Sequence, residues 1–172
     1  SIRQNFIPAH PMAGTEYSGP TAAFSGLFKD AVVAICDFKE SGEIHVKRSV
    51  ELFSYLGMKI IFMSAAEHDH HASVISHLPH AISFSLASSV LKKENKKNII
   101  ALSGTGFNGM IRIAKSSPVM WTDIFKQNKQ NLINSIDLFK KELDECENLI
   151  KNEKWDELRE WMGEARKIRE IL

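Results

Sequence analysis

The chain has 172 residues, enough for one domain or two small lobes around a buried core. Hydrophobic content of 44% beside 25% charged residues is the balance of a globular protein and excludes a disordered or fibrous one. A formal net charge of +1 leaves no electrostatic footprint for nucleic acid, and no basic block suggests an anionic membrane surface.

Cys36 and Cys146 lie far apart with no C-x-x-C spacing, so neither a disulfide framework nor a zinc knuckle is indicated. The pair fits a reducing compartment, and a cytoplasmic location is expected. No signal peptide is visible, and no apolar run approaches the roughly 20 residues that span a bilayer. The opening SIRQNFIPAHPM carries no Met, tag or targeting segment and reads as a chain entered partway through a larger protein.

In chain order, NFIPA (5–9) reads as a strand ending at the His10-Pro11 pair. AGTEYSGPTAAFSG is a Gly-, Ser- and Pro-rich loop. DAVVAICDF (30–38) is a β-type run. EIHVKRSVELFSYLG (43–57) places apolar residues at 46, 50, 53 and 56, a helical stripe with Gly57 as its stop. MKIIFMS (58–64) reads as another strand, so the first 65 residues look like the edge of an α/β sheet.

From His68 to about Asn95 the pattern is helical, and Pro79 should kink or split it. KKENKK reads as a solvated turn or helix end, NIIALSGTGFNG as an apolar run into a glycine loop, and MIRIAKSS as a short helix. From Pro118 onward the chain reads as wholly helical. Leu132, Ile136, Phe139, Leu143, Cys146 and Ile150 form one helix-packing stripe, and Trp155, Leu158, Met162, Ala165, Ile168 and Leu172 a second. These stripes describe a helix hairpin, with a subunit interface as the alternative or addition.

Five of the seven histidines fall in HDHHASVISHLPH, residues 68–80. At about 100° per residue, His70, Ser73, His77 and His80 share one helix face, with Asp69 and Ser76 at its edge and His68 pointing away. No H-E-x-x-H spacing exists, so no metal site is assigned, and a histidine-rich metal protein stays as the minor alternative. The remaining readings are histidines with no special role and a polar pocket wall for an anionic ligand.

GTGFNG (104–109) satisfies G-x-G-x-x-G, but no second strand follows it, so it is read as a decoy for a dinucleotide-binding turn. Arg112 stands in the apolar run MIRIA, either as a structural ion pair or as a clamp for a ligand carboxylate. Trp121 is equally a core residue. His10, leading from a strand into a glycine loop, is a candidate for acid–base chemistry or a structural cap.

Three segments, FIPAHPMAGTEYSGP (6–20), SHLPHAISFSL (76–86) and RIAKSSPVMWTDIF (112–125), together resemble the prephenate dehydrogenase family with its arogenate dehydrogenase relatives. The resemblance covers nearly the whole chain. It implies a mainly α fold: an all-helical dimerisation domain over 66–172, preceded by a remnant α/β, Rossmann-type edge of strands and one helix over 1–65. It also implies oxidative decarboxylation of prephenate to 4-hydroxyphenylpyruvate in tyrosine biosynthesis, with NAD or NADP as cofactor. The cofactor-binding glycine fingerprint, and a serine that positions substrate, would lie upstream, leaving this fragment inactive alone.

By the same resemblance His10 is the base, while Arg112 holds a substrate carboxylate. Ser76, His77 and His80 line the substrate pocket. Glu16 joins a gating ionic network, and Trp121 reaches the site from the partner subunit of a homodimer. His68, His70 and His71 are expected to take no catalytic part. Gly109 stands where relatives have an acidic residue, which removes an ion pair from that network. Arogenate dehydrogenase is one alternative. A non-catalytic helical module binding tyrosine, which the family also meets as a feedback inhibitor, is another.

Overall fold

The computed structural model describes residues 2–14 and 19–171. Two compact units divide the chain, Ser1–Leu132 and Ile133–Leu172. The first holds a three-stranded sheet of β1 (Ala9–Met12), β2 (Val32–Cys36) and β3 (Lys59–Met63), in the order β1-β2-β3. β1 runs antiparallel to β2 with His10 opposite Ala34, and β2 runs parallel to β3 with Cys36 opposite Met63. β2 is buried on both faces, which explains why AVVAIC is an uninterrupted apolar run without polar alternation.

Helix α1 (Glu43–Tyr55) supplies the crossover between the parallel strands. Its half-buried positions include Val46, Val50, Phe53 and Leu56, the stripe read from the sequence. Gly57 ends it at φ +75°, a left-handed conformation that glycine adopts without steric cost. Gly57 N–H donates to the Ser54 carbonyl at 3.0 Å and Met58 N–H to the Phe53 carbonyl at 3.0 Å, the paired bonds of a Schellman ending. Val33, Ile35 and Met58 form the core against which Phe53, Val50, Phe28 and Ile7 pack.

The first strand departs from the sequence reading of 5–9. Residues Ile2–Asn5 form a 3₁₀ turn, and Arg3 holds it by donating to the Phe6 and Asp37 carbonyls, each at 3.0 Å. The strand therefore begins only at Ala9. Pro11 fits because β1 is an edge strand of the described sheet, where a missing N–H can face outward.

From Ala65 to Leu91 the chain is one continuous helical rod: α2 (Ala65–Ala72), a π turn (Ser73–His77) and α3 (Leu78–Leu91). The disruption expected from Pro79 falls in this π turn, just before the proline. Pro79 would crowd the carbonyl of residue 75, and widening that turn relieves the clash. At 27 residues, with a mean hydropathy of 1.3 in its most apolar window, this rod is long and apolar enough to cross a membrane. That corrects the expectation that no segment approached such a length; scattered histidines and serines had masked its continuity. Its first turns pack against β2.

The glycine-rich segment is also different from the expected loop. α4 (Lys96–Ala101) takes up NIIA, and α5 (Thr105–Ile111) takes up the central residues of GTGFNG as helix. A 3₁₀ turn Arg112–Lys115 and α6 (Pro118–Gln127) follow. α7 (Lys129–Lys151) runs into the second unit, which holds its later turns and α8 (Trp155–Arg166). Within that unit Trp161 donates its indole N–H to Glu142 at 3.2 Å, and Leu149 is buried. Phe139, Leu143, Ile150, Trp155, Met162 and Ile168 of the two stripes are exposed in the single chain.

Candidate active site

The cross-strand register puts His10 opposite Ala34, and α2 lies against β2 there. α2 starts at a capping box: Ser64 Oγ accepts from Glu67 N–H at 3.2 Å, and Glu67 Oε2 accepts from Ser64 N–H at 2.7 Å. A helix begun at that point delivers His68 after one turn. His68 Nε2 lies 2.9 Å from His10 Nδ1, with the two rings edge to face at 5.1 Å. His68 Nδ1 in turn lies 3.0 Å from Asp69 Oδ1. His68 was expected to point away, and the structure corrects this.

The reason is the π turn. A wheel drawn at 100° per residue assumes unbroken α geometry, and the extra residue in the wide turn rotates everything beyond it by nearly one residue's step. His77 thereby comes round to the side occupied by His68 and His10. Asn128, which follows α6, fastens this stretch: its amide donates to the Asp69 carbonyl at 2.6 Å and lies 3.3 Å from His77 Nδ1. As an NH₂ group it can only donate, so neutral His77 accepts at Nδ1 and carries its proton on Nε2.

One turn further, His80 Nδ1 donates to the Ser76 carbonyl at 2.9 Å, which puts the lone pair of the neutral ring on Nε2. Its ring stacks on Trp121 at 3.4 Å between centroids and 22° between planes. Trp121 is buried, and it also meets His77 edge-on at 6.1 Å and Phe125 at 5.7 Å. Within this chain Trp121 lies against its own His80 and His77. Its Nε1–H is buried without an acceptor among the described residues, a donor that bound water or ligand would satisfy.

Arg112, at the start of the turn after α5, is exposed and close enough to His80 for its charge to be felt there. Burial pushes the His80 pKa down, the bond to Ser76 opposes that, and the Arg112 charge adds to the lowering. Burial likewise lowers His10, assisted by His68. For His77 burial is again the main cause, opposed by Asp69 and assisted by His68, His80 and His10. The three imidazoles are thus held neutral near neutral pH. They make a wall of acceptors and weak donors beside one guanidinium, a setting for an anionic ligand and for proton abstraction.

His10 and His80 are each close enough to His77, and Arg112 to His80, for their charges to be felt. Ser76 contributes its carbonyl to this set. Glu16, the proposed gate, lies outside the described residues. His68 and Asn128 stand beside these residues, Asn128 through a contact from a distant element that local pattern could not signal, while Asp69 was placed at the edge of the face from the sequence. No group of three or more His, Cys, Asp or Glu with metal-holding geometry occurs among the described residues.

Residues 64–164 match the prephenate dehydrogenase dimerization domain, and residues 1–62 match the family's nucleotide-binding domain. The chain belongs to the prephenate dehydrogenase family. It is 33% identical over 168 residues to a cyclohexadienyl dehydrogenase of Zymomonas mobilis, covering 96% of this chain and 57% of that protein. It is 32% identical over 171 residues to a prephenate dehydrogenase of Bacillus subtilis, covering 99% of this chain and 46% of that one. The chain therefore spans about half the length of these relatives.

Among solved structures, it is similar to Aquifex aeolicus prephenate dehydrogenase in complex with hydroxyphenyl propionate and NAD+. The TM-score is 0.88 at 34% identity, covering 96% of this chain and 58% of that one. A Synechocystis arogenate dehydrogenase has a TM-score of 0.81 at 27% identity, covering 96% and 61%. The mainly α fold behind a small α/β edge is that of this family.

Proposed function

We propose that the complete protein is an NAD-dependent prephenate dehydrogenase, converting prephenate to 4-hydroxyphenylpyruvate and CO₂ in aromatic amino acid biosynthesis in the cytoplasm. The observation that carries this reading is the similarity over 96% of the chain to a relative holding a hydroxyphenyl acid and NAD+. In this reading residues 1–65 are the tail of the nucleotide-binding domain and 66–172 are the helical domain through which two copies dimerise.

The roles follow from the wall of imidazoles. His10 Nε2 takes the proton of the ring hydroxyl as carbonyl character develops at that carbon, and the ring carboxylate leaves as CO₂ while the ring aromatises. The cofactor, when bound, would supply the hydride acceptor for that carbon. Gly104–Gly109 is not assigned to it, because helix rather than strand precedes and follows that segment among the described residues; the carboxyl ends of parallel β2 and β3 are the edge this chain offers toward it. Arg112 pairs with a substrate carboxylate, and His80 Nε2 with Ser76 and His77 orients the polar groups. Glu16 is assigned to the gate.

The test is turnover by the full-length protein with NAD and either prephenate or arogenate. Prephenate should give 4-hydroxyphenylpyruvate at the higher kcat/KM. Preference for arogenate, releasing tyrosine, would overturn the substrate assignment, and the Synechocystis likeness makes that the relevant rival. NADP in place of NAD, and added tyrosine as inhibitor, are read in the same assay.

A further inference from the structure

We infer that His68, oriented by Asp69, is a positioning residue that fixes which nitrogen of His10 is free to act as the base. The inference rests on the reading of His10 given above. A carboxylate can only accept, so the 3.0 Å contact with Asp69 Oδ1 requires the proton of neutral His68 to sit on Nδ1. His68 Nε2 is then an acceptor. Across the 2.9 Å contact His10 must donate from Nδ1, which leaves its Nε2 bare. For neutral imidazoles at His68 and His10, the direction of each proton in the chain Asp69–His68–His10 follows from the one group that has none.

The arrangement is anchored at both ends. β1 sets His10 by its register with β2, and the capping box at Ser64 sets the first turn of α2. Asn128 holds the Asp69 backbone from the other side at 2.6 Å. Without the carboxylate, His68 could carry its proton on either nitrogen. In the tautomer with Nε2–H it would donate to His10 Nδ1, and the His10 proton would move to Nε2, where a base needs a lone pair. Holding an imidazole in the wrong tautomer can cost up to roughly 10⁴-fold in turnover.

Four variants of the full-length protein, assayed with prephenate and NAD and examined by ¹⁵N-resolved imidazole spectra, test this. In the unaltered protein the His10 proton should be on Nδ1. Asp69→Asn, whose amide can donate to His68 and invert the chain, should move it to Nε2. That variant should lower kcat by about 10-fold or more with KM within about twofold. His68→Gln keeps an acceptor near the Nε2 position and should retain about a third of kcat or more, whereas His68→Phe should fall below about a tenth.

A His10 proton on Nε2 in the unaltered protein overturns the inference, as does an Asp69→Asn variant with unchanged tautomer and kcat. Should His68→Phe fail to fold, the Asp69→Asn spectra decide alone. The fourth variant, His10→Asn, separates the two levels. If it abolishes turnover while Asp69→Asn does nothing, the base stands and the relay falls. If it leaves turnover intact, the base assignment falls, and the spectra still judge the relay.

Discussion

Trp121→Ala and Trp121→Phe, made side by side, separate packing from hydrogen bonding in the wall of the site. The indole is only 7% exposed and lies against His80 at 3.4 Å, Phe125 at 5.7 Å and His77 at 6.1 Å. Truncation to alanine removes a buried aromatic and leaves a cavity, a loss of about 3–5 kcal/mol. Phenylalanine keeps a ring against all three neighbours. Its smaller volume, less by about 40 Å³, costs about 1 kcal/mol at roughly 24 cal/mol per Å³ of cavity. Against this stands the removal of a buried N–H with no acceptor among the described residues, worth about 1–3 kcal/mol. Trp121→Phe should therefore match the unaltered protein or exceed its stability by up to about 2 kcal/mol. Urea unfolding of the full-length protein, followed by its helical circular dichroism, measures both. A Trp121→Ala variant as stable as Trp121→Phe would refute the packing account. Equal, large losses in both would show that the indole N–H has a partner the account lacks.

Other consequences can be checked independently. His10, His77 and His80 are lowered from 6.5 chiefly by burial, so between their folded values and 6.5 the unfolded chain binds more protons. Stability should be fully present above pH 6.5 and fall as pH drops through the folded values; unfolding midpoints that rise on acidification from pH 7.5 to 5.5 would contradict the burial assignments. Gly57→Ala meets only Lys29 at an ordinary 3.8 Å, so its cost should be the left-handed backbone alone, about 1–2 kcal/mol in a thermal melt. Arg112→Ala should raise KM for prephenate with a smaller change in kcat, since the pairing is made equally in ground and transition states; an unaltered KM would remove the clamp.

Much of the fold was legible because it obeys simple periods. AVVAIC and KIIFM are apolar runs of strand length, and residues 46, 50, 53 and 56 trace one face of α1 up to a glycine that can turn left-handed. The long stripes after Pro118 announced helices. What failed did so where geometry leaves the ideal. The π turn at Ser73–His77 defeats any wheel drawn through it, so His68 was placed on the wrong side. GTGFNG has the letters of a phosphate turn but lies between helices, with no strand to open it. β1 is displaced by a 3₁₀ turn that Arg3 secures through residues more than 30 positions away, a contact that local pattern cannot carry. His10, His77, His80 and Arg112 were named from the sequence; the tautomeric chain behind His10 needed coordinates.

The most direct test of the account is the turnover of prephenate by His10→Asn in the full-length protein. Loss of about 10²-fold or more in kcat, with substrate still bound, is the result expected if this imidazole takes the hydroxyl proton. Turnover equal to that of the unaltered protein would contradict it.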